Sequence, residues 1–428
     1  MTVQEVPYFR PQLTQAEISE VTHTLRSGWL TTGPKTKRFE EAFAEAVGAA
    51  HAVALNSCTA ALHLALEALR LRPGQIVLVP AMTFAATAEV VRYLGALPLL
   101  VDCDAQSLNM DLEDAERKVE RLRAGLLPPI FPPDAPVVGL VPVHVGGVMM
   151  DVEAVRAFAA RHHLWVVEDA AHAFPAAWRK APDAPWQRCG ELTADVTCYS
   201  FYANKTITTG EGGMATLQDA ELAARIRSMS LHGLSHDAWN RYTSSGSWDY
   251  QIIAPGYKYN MTDIAASLGL HQLARAEELR QARAALARQY NAAFAELEEI
   301  ETPAEPPDRI HAWHLYPLKL RLTHLEIERN RFIEELKQAG VGCSVHWRPL
   351  HLHPYYREQF GWQPGDLPVA SAVWQRLVSL PLFPGMRAEE TAHVINTVQN
   401  ICARHQRRPA TVSQPKANGM AVNRASLG

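Results

Sequence analysis

The sequence predicts an α/β fold, with a large domain on a mostly parallel sheet followed by a smaller α+β domain at the C-terminal end. Three observations predict it. Short apolar runs at 76–80, 99–102 and 137–141 alternate with helix-like stretches, the rhythm of strand–helix–strand units. Two further strand-like runs, 164–167 and 195–199, are each followed by residues fit for chemistry, as happens at the carboxyl ends of strands in open α/β sheets. An alanine- and arginine-rich stretch, 264–297, then reads as a long helix leading away from that region.

Taken in order, residues 51–55 are strand-like and pass through Asn56-Ser57-Cys58-Thr59 into apolar residues at helical spacing. This aims the free N–H groups of a helix start outward, an arrangement that holds anions, although Ser57 and Thr59 read equally as caps. The proline-rich interruptions 127–133 and 181–185 read as surface loops. The domain organisation expected is an N-terminal segment with the large domain over 1–263, a linking helix over 264–297 and a small domain over 298–403. The small domain includes a strand over 315–320. The polar tail 404–428 has no periodicity and is expected to be disordered.

The most informative segment is Ser200-Phe201-Tyr202-Ala203-Asn204-Lys205, continuing to Gly213. A lysine at the end of a buried strand loses the solvation of its ammonium form, so its pKa falls and its amine becomes a nucleophile towards aldehydes. Lys205 reads as a Schiff-base lysine. The glycines that follow remove side chains where backbone approaches closely, and Ser200 supplies a hydroxyl. Taken alone, Thr209-Gly210-Glu211-Gly212-Gly213 is also a plausible turn. Asp169 follows the apolar run 164–167, placed to hold a protonated ring nitrogen, and His172 is placed to meet the same ring. As isolated features, Asp169 reads as a helix cap and His172 as a core histidine.

Ser57-Cys58-Thr59-Ala60 before a helix, Glu168-Asp169-Ala170-Ala171-His172 after a strand, and the Lys205 segment occur in that order. Together they resemble the DegT/DnrJ/EryC1/StrS family of sugar aminotransferases. The likeness extends from 27–34 through 255–263 to 379–385 and spans nearly all the chain except the tail. It implies the PLP-dependent transferase fold type I, with a seven-stranded-type sheet, and pyridoxal 5′-phosphate as cofactor. By this resemblance Lys205 carries the cofactor, Asp169 partners its ring nitrogen, Phe84 stacks on the ring and His172 lies on its other side or edge. Cys58, Thr59 and Ser200 match phosphate contacts. Asn260 matches a contact supplied by the neighbouring subunit, which implies a homodimer with shared active sites. Without the resemblance, Phe84 reads as core packing and Asn260 as a cap.

The resemblance also implies partners: a nucleotide-sugar substrate and an amino-acid donor, glutamate. Lysine rather than histidine at 205 argues against the deoxygenating dehydratase branch. The runs 205–214 and 256–264 look like the branch that aminates C4 of nucleotide-linked 4-keto sugars for lipopolysaccharide or other cell-surface polysaccharide. Trp29 and Thr31, in an entrance segment, Tyr202, beside the lysine, and His314 and His346, in C-terminal family-like motifs, are candidate substrate contacts or packing residues. Two alternatives stay open: an aminotransferase acting on a cyclitol or other keto compound without a nucleotide, and a non-catalytic PLP-binding regulator.

Composition bounds the remaining classes. A formal net charge of −4 gives no electrostatic case for nucleic acid or an anionic membrane surface. Six scattered cysteines read as free thiols of a reducing compartment. With neither a signal-like N-terminus nor a membrane-length apolar run, the expected location is the cytoplasm. The histidines of 346–353 match no zinc-ligand spacing, so no metal is expected.

Overall fold

The computed structural model describes residues 5–235 and 250–407. Thirteen strands are described: β1 His51–Leu55, β2 Ile76–Pro80, β3 Leu97–Val101, β4 Val137–Leu140, β5 Trp165–Asp169, β6 Ala177–Trp178, β7 Gln187–Arg188, β8 Val196–Ser200, β9 Gly213–Leu217, β10 Ile300–Glu301, β11 Arg309–Ile310, β12 Tyr316–Leu320 and β13 Leu377–Leu380. Seven form the main sheet in the order β1-β9-β8-β5-β4-β2-β3. Its strands pair in parallel from β3 across to β8, and β9 runs antiparallel to both β8 and β1. Strand β2 is apolar and buried along its whole length, as expected of a sheet covered on both faces.

This topology places the site. Because β1, β2, β4, β5 and β8 all point the same way, the segments leaving their carboxyl ends gather along one edge. Those segments carry Cys58, Phe84, Val143, Asp169 and Lys205. Strand β9 reverses direction after β8, so the loop 201–212 must arch over that edge.

The loop is anchored at both ends. Phe201 N–H donates to Gly212 O at 2.9 Å, and Thr209 N–H donates to Phe201 O at 2.9 Å. Phe201 is fully buried, with its ring 5.3 Å from both Phe39 and Phe43. Burying such a ring contributes about 1.5–3 kcal/mol, enough to hold the loop's base while its crest stays open to the cavity.

The long helix expected over 264–297 is two helices, Asp263–Ala274 and Ala276–Phe294, broken at Arg275. They do different jobs. The first lies against the N-terminal helices Gln15–Ser27 and Pro34–Val47. The second sends Ala287, Tyr290 and Phe294 into a separate core with β12, β13 and the helix Ala388–His405.

That second core does not respect the expected boundaries. Val6, from the N-terminal segment, pairs with Val341 and is buried there. In the other direction, Leu350, Tyr356, Phe360, Trp362 and Val373 join the core of the large sheet. Two contacts draw them in: Phe131, from the first proline-rich loop, lies 5.8 Å from Phe360 and 5.7 Å from Trp362, and Asp102 accepts from the N–H groups of Val369 and Ala370. Residues 404 and 405 complete the last helix, and Arg407 N–H donates to His324 O, so order continues past the expected boundary at 404. The remainder of the expected tail, 408–428, lies outside the described residues.

All six cysteines are free thiols. Among the described residues no helix is long and apolar enough to cross a membrane.

Candidate active site

A cavity of about 630 Å³ opens at the carboxyl edge of the main sheet. Ten of the thirteen residues singled out from the sequence line it: Cys58, Thr59, Phe84, Asp169, His172, Ser200, Tyr202, Lys205, His314 and His346.

Its base is the start of the helix Cys58–Ala68. Ser57 caps this helix by accepting from Ala60 N–H at 3.1 Å, and Ser57 O accepts from Ala61 N–H. The N–H groups of Cys58 and Thr59 have no partner among the described residues and stand at the positive end of the helix. Strand β9 passes hard against this turn. A Cβ on Gly213 would meet the Ser57 carbonyl and, at 2.5 Å, the Cys58 amide nitrogen, so the close approach foreseen for the glycine cluster occurs here.

Asp169 ends β5 and is buried. Thr87 Oγ1 donates to its Oδ2 at 2.8 Å and Ala171 N–H to its Oδ1 at 3.1 Å. Thr83 and Thr87 hydroxyls lie 2.7 Å apart, and because a carboxylate only accepts, Thr87 spends its proton on Asp169 and Thr83 donates to Thr87. Burial pushes the Asp169 carboxyl above its usual range, against these bonds and the positive charge of Lys205.

Lys205 sits on the loop rather than at the strand's end, five residues past Ser200. Its Nζ is 3.4 Å from His314 Nε2. Burial pulls its ammonium down to about 8, so an appreciable fraction is free amine near neutrality.

Three imidazoles form the opposite wall. His172 lies 4.2 Å from His314, centroid to centroid, and stacks on Trp347 at 5.0 Å and 18°. Gly146 N–H donates to His172 Nδ1, which leaves the ring proton on Nε2. His346 Nδ1 lies 2.9 Å from Ser379 Oγ. Burial lowers all three pKa values, His346 to about 4, so the wall is uncharged at neutral pH. Phe84 lines the mouth with 64% of its surface exposed, which departs from the core-packing alternative.

Trp29, Thr31 and Asn260 do not line this cavity. Trp29 Nε1 donates to Thr32 O, Thr31 O accepts from Asp263 N–H, and Asn260 Nδ2 donates to Thr32 Oγ1 at 2.7 Å. The entrance segment and the 255–263 run thus fold against each other.

Sequence reasoning passed over Thr83, Thr87, Trp347, Asn204 and Glu211. Thr83 and Thr87 carried a signal: two hydroxyls four residues apart, flanking Phe84 on the way into a helix. Trp347 had none, since only tertiary packing brings it to His172.

Among the described residues one buried group, His144, Glu168 and Cys189, has metal-like proximity. Met150 N–H donates to His144 Nδ1, and His144 Nε2 lies 3.4 Å from Glu168 Oε1.

A fold of this topology with a lysine, a carboxylate and a helix start at one sheet edge defines a PLP-dependent transferase. The chain belongs to the DegT/DnrJ/EryC1/StrS aminotransferase family, which it matches over residues 11–399. It is 44% identical over 398 residues to the spore coat polysaccharide biosynthesis protein SpsC of Bacillus subtilis, covering 92% of this chain and 97% of SpsC. An uncharacterised protein of Methanocaldococcus jannaschii is 44% identical over 402 residues, 94% of this chain and 98% of that one. A Streptococcus pneumoniae protein assigned as a sugar aminotransferase, solved in a PLP form, is 33% identical with a TM-score of 0.82, over 94% of this chain and 99% of that one. DesV of S. venezuelae, solved with a ketimine intermediate, is 28% identical with a TM-score of 0.79, over 93% and 98%. The protein is a PLP-dependent aminotransferase of the sugar aminotransferase family.

Proposed function

We propose that this protein transfers an amino group from glutamate to C4 of a nucleotide-linked 4-keto sugar, in the cytoplasm, for a cell-surface polysaccharide such as lipopolysaccharide. The observation that carries the transaminase part of the reading is the meeting of Lys205, Asp169 and the open start of the helix Cys58–Ala68 in one cavity, and the sugar and donor rest on the family resemblance.

The residues present fit the cofactor. The two unpartnered N–H groups of Cys58 and Thr59, with Ser200 nearby, would hold its phosphate. Asp169, a buried carboxylate whose charge is poorly compensated, would hold the cationic ring nitrogen. Phe84 and His172 would flank the ring. Pyridoxal phosphate, when bound, supplies the electron-accepting ring that lets a proton leave the carbon bearing the transferred nitrogen.

The chain's own groups do the rest. Lys205, free of its proton in appreciable fraction, would be the nucleophile that holds the cofactor and the base and acid at the substrate carbon. Thr87 and Ala171 favour the ionised form of Asp169 and aim it. The neutral imidazoles of His172, His314 and His346 leave Lys205 the only cationic side chain lining the cavity among the described residues. Tyr202, His314 and His346 would meet the sugar. Trp29 and Thr31 would approach the substrate from the entrance segment, and Asn260 would reach the phosphate of the neighbouring subunit across a homodimer interface.

An absorbance spectrum with and without glutamate, beside Lys205→Ala, tests the donor half. Glutamate should convert the wild-type cofactor band and leave that of the variant unchanged. Competition by UDP, GDP or dTDP tests the acceptor half. No affinity for any of the three would refute the nucleotide-sugar reading and favour a cyclitol or other free keto compound.

A further inference from the structure

Arg283, on the helix Ala276–Phe294, is fully buried, yet among the described residues no carboxylate pairs with it. A buried guanidinium is ordinarily matched by an anion, because desolvating an unpaired charge is expensive. Here its partners are backbone carbonyls. Nη1 donates to Leu382 O at 2.6 Å and reaches His314 O and Trp313 O at 3.4 and 3.5 Å, while Nη2 reaches Asn204 O at 3.5 Å. Those carbonyls are the backbone oxygens of the residue before Lys205, of His314, whose imidazole faces Lys205, of its neighbour Trp313, and of the segment after β13. Its Nε has no partner among the described residues.

An arginine spent on structure alone would be cheaper as an apolar residue of similar size. We propose that Arg283 is a positioning residue for Lys205: one guanidinium ties the catalytic loop to the His314 backbone and keeps a fixed positive charge behind the amine. The inference rests on Lys205 being the reactive lysine.

Every element around the amine bears on its ionisation. Cys58, a thiol held neutral by burial, and the carboxylate of Asp169 face it from the helix Cys58–Ala68 and from β5. His172, His314 and His346 face it uncharged, and Tyr8 faces Arg283 as a neutral phenol. Burial is the largest influence on Lys205, and Arg283 is the like charge that adds to it against the pull of Asp169. The same burial lowers Arg283 itself to about 10, which leaves it cationic throughout the working range.

The test is competitive acetylation of Lys205 in the full-length, cofactor-free protein, followed by peptide mass spectrometry across pH. Arg283→Gln removes the charge and keeps amide donors for Leu382 O. Arg283→Lys keeps the charge and loses the fork. Wild type should show a midpoint of about 8. Arg283→Gln should raise it by at least half a unit, roughly a threefold loss of reactivity near neutrality, and Arg283→Lys should restore it. A folded Arg283→Gln with the wild-type midpoint overturns the proposal. Should that variant fail to fold, Arg283→Lys decides through the fork it loses: a high-pH acetylation rate of Lys205 equal to that of wild type would show that the loop needs no guanidinium tie and overturns the proposal. A wild-type midpoint at the ordinary lysine value would instead count against Lys205 as the reactive amine, so the two readings fail separately.

Discussion

Thr87→Val removes one hydroxyl from a buried position and keeps the shape, so it isolates the bond to Asp169. The bond is 2.8 Å long, donated to a buried carboxylate by a hydroxyl that itself accepts from Thr83. Hydrogen bonds to charged groups are worth about 1.5–3 kcal/mol, and at about 1.4 kcal/mol per unit this corresponds to a rise of roughly one to two units in the Asp169 pKa. The sign follows from the site: burial already raises this carboxyl, Thr87 opposes burial, and its loss lets the proton bind more readily. The ionised form is the one that holds a cationic ring. Cofactor retention should therefore weaken as pH falls through the raised pKa, by up to about ten- to hundredfold below it, and the acid limb of the glutamate half-reaction should move to higher pH. Equilibrium dialysis of the cofactor and a stopped-flow pH series read the two effects. The Thr83 hydroxyl, left without its acceptor, should cost about a further 1 kcal/mol in a melting experiment. A variant with the wild-type cofactor affinity and an unmoved acid limb would refute the argument that Thr87 maintains the Asp169 charge.

Lys205→Ala should lower the rate of amino transfer by at least about 10³-fold while cofactor still binds non-covalently, because the helix start and Asp169 are untouched; turnover and an absorbance titration check this. Gly213→Ala forces a Cβ against the Cys58 amide at 2.5 Å, and should cost about 1–3 kcal/mol in denaturant melts together with weakened cofactor binding. Burial pushes Glu168 up, but His144, Thr193 and Thr197 outweigh it and leave the carboxyl below its ordinary value of 4.5. Its contribution is therefore present in full above that value and is lost as pH falls through the lower folded one, so Glu168→Gln should flatten the pH dependence of stability in that acid window.

The chemistry was largely legible in the sequence because it is local. A lysine followed by a glycine cluster after one strand, a carboxylate after another and small hydroxyl residues at a helix start each announce a backbone geometry within a few residues. The alternation of short apolar runs likewise sufficed for a parallel sheet, since strands buried on both faces must be apolar throughout, as β2 is. Nothing local indicated that the long helix breaks at Arg275, or that Val6 and the 350–373 segment exchange sides between the two cores. Those outcomes depend on which apolar surfaces meet, and many partners would satisfy the same pattern.

The inner wall of the site belongs to the second kind. Trp347 against His172, His314 against Lys205, and Arg283 behind both are separated by tens to more than a hundred residues in the chain, so no periodicity relates them. The sequence by itself pointed to the candidate groups and to parallel strands that would deliver them to one edge. Only the tertiary structure decided their ionisation, because burial and distance, the quantities that move a lysine down to about 8 and a carboxylate above its usual range, exist only once the chain has closed around them.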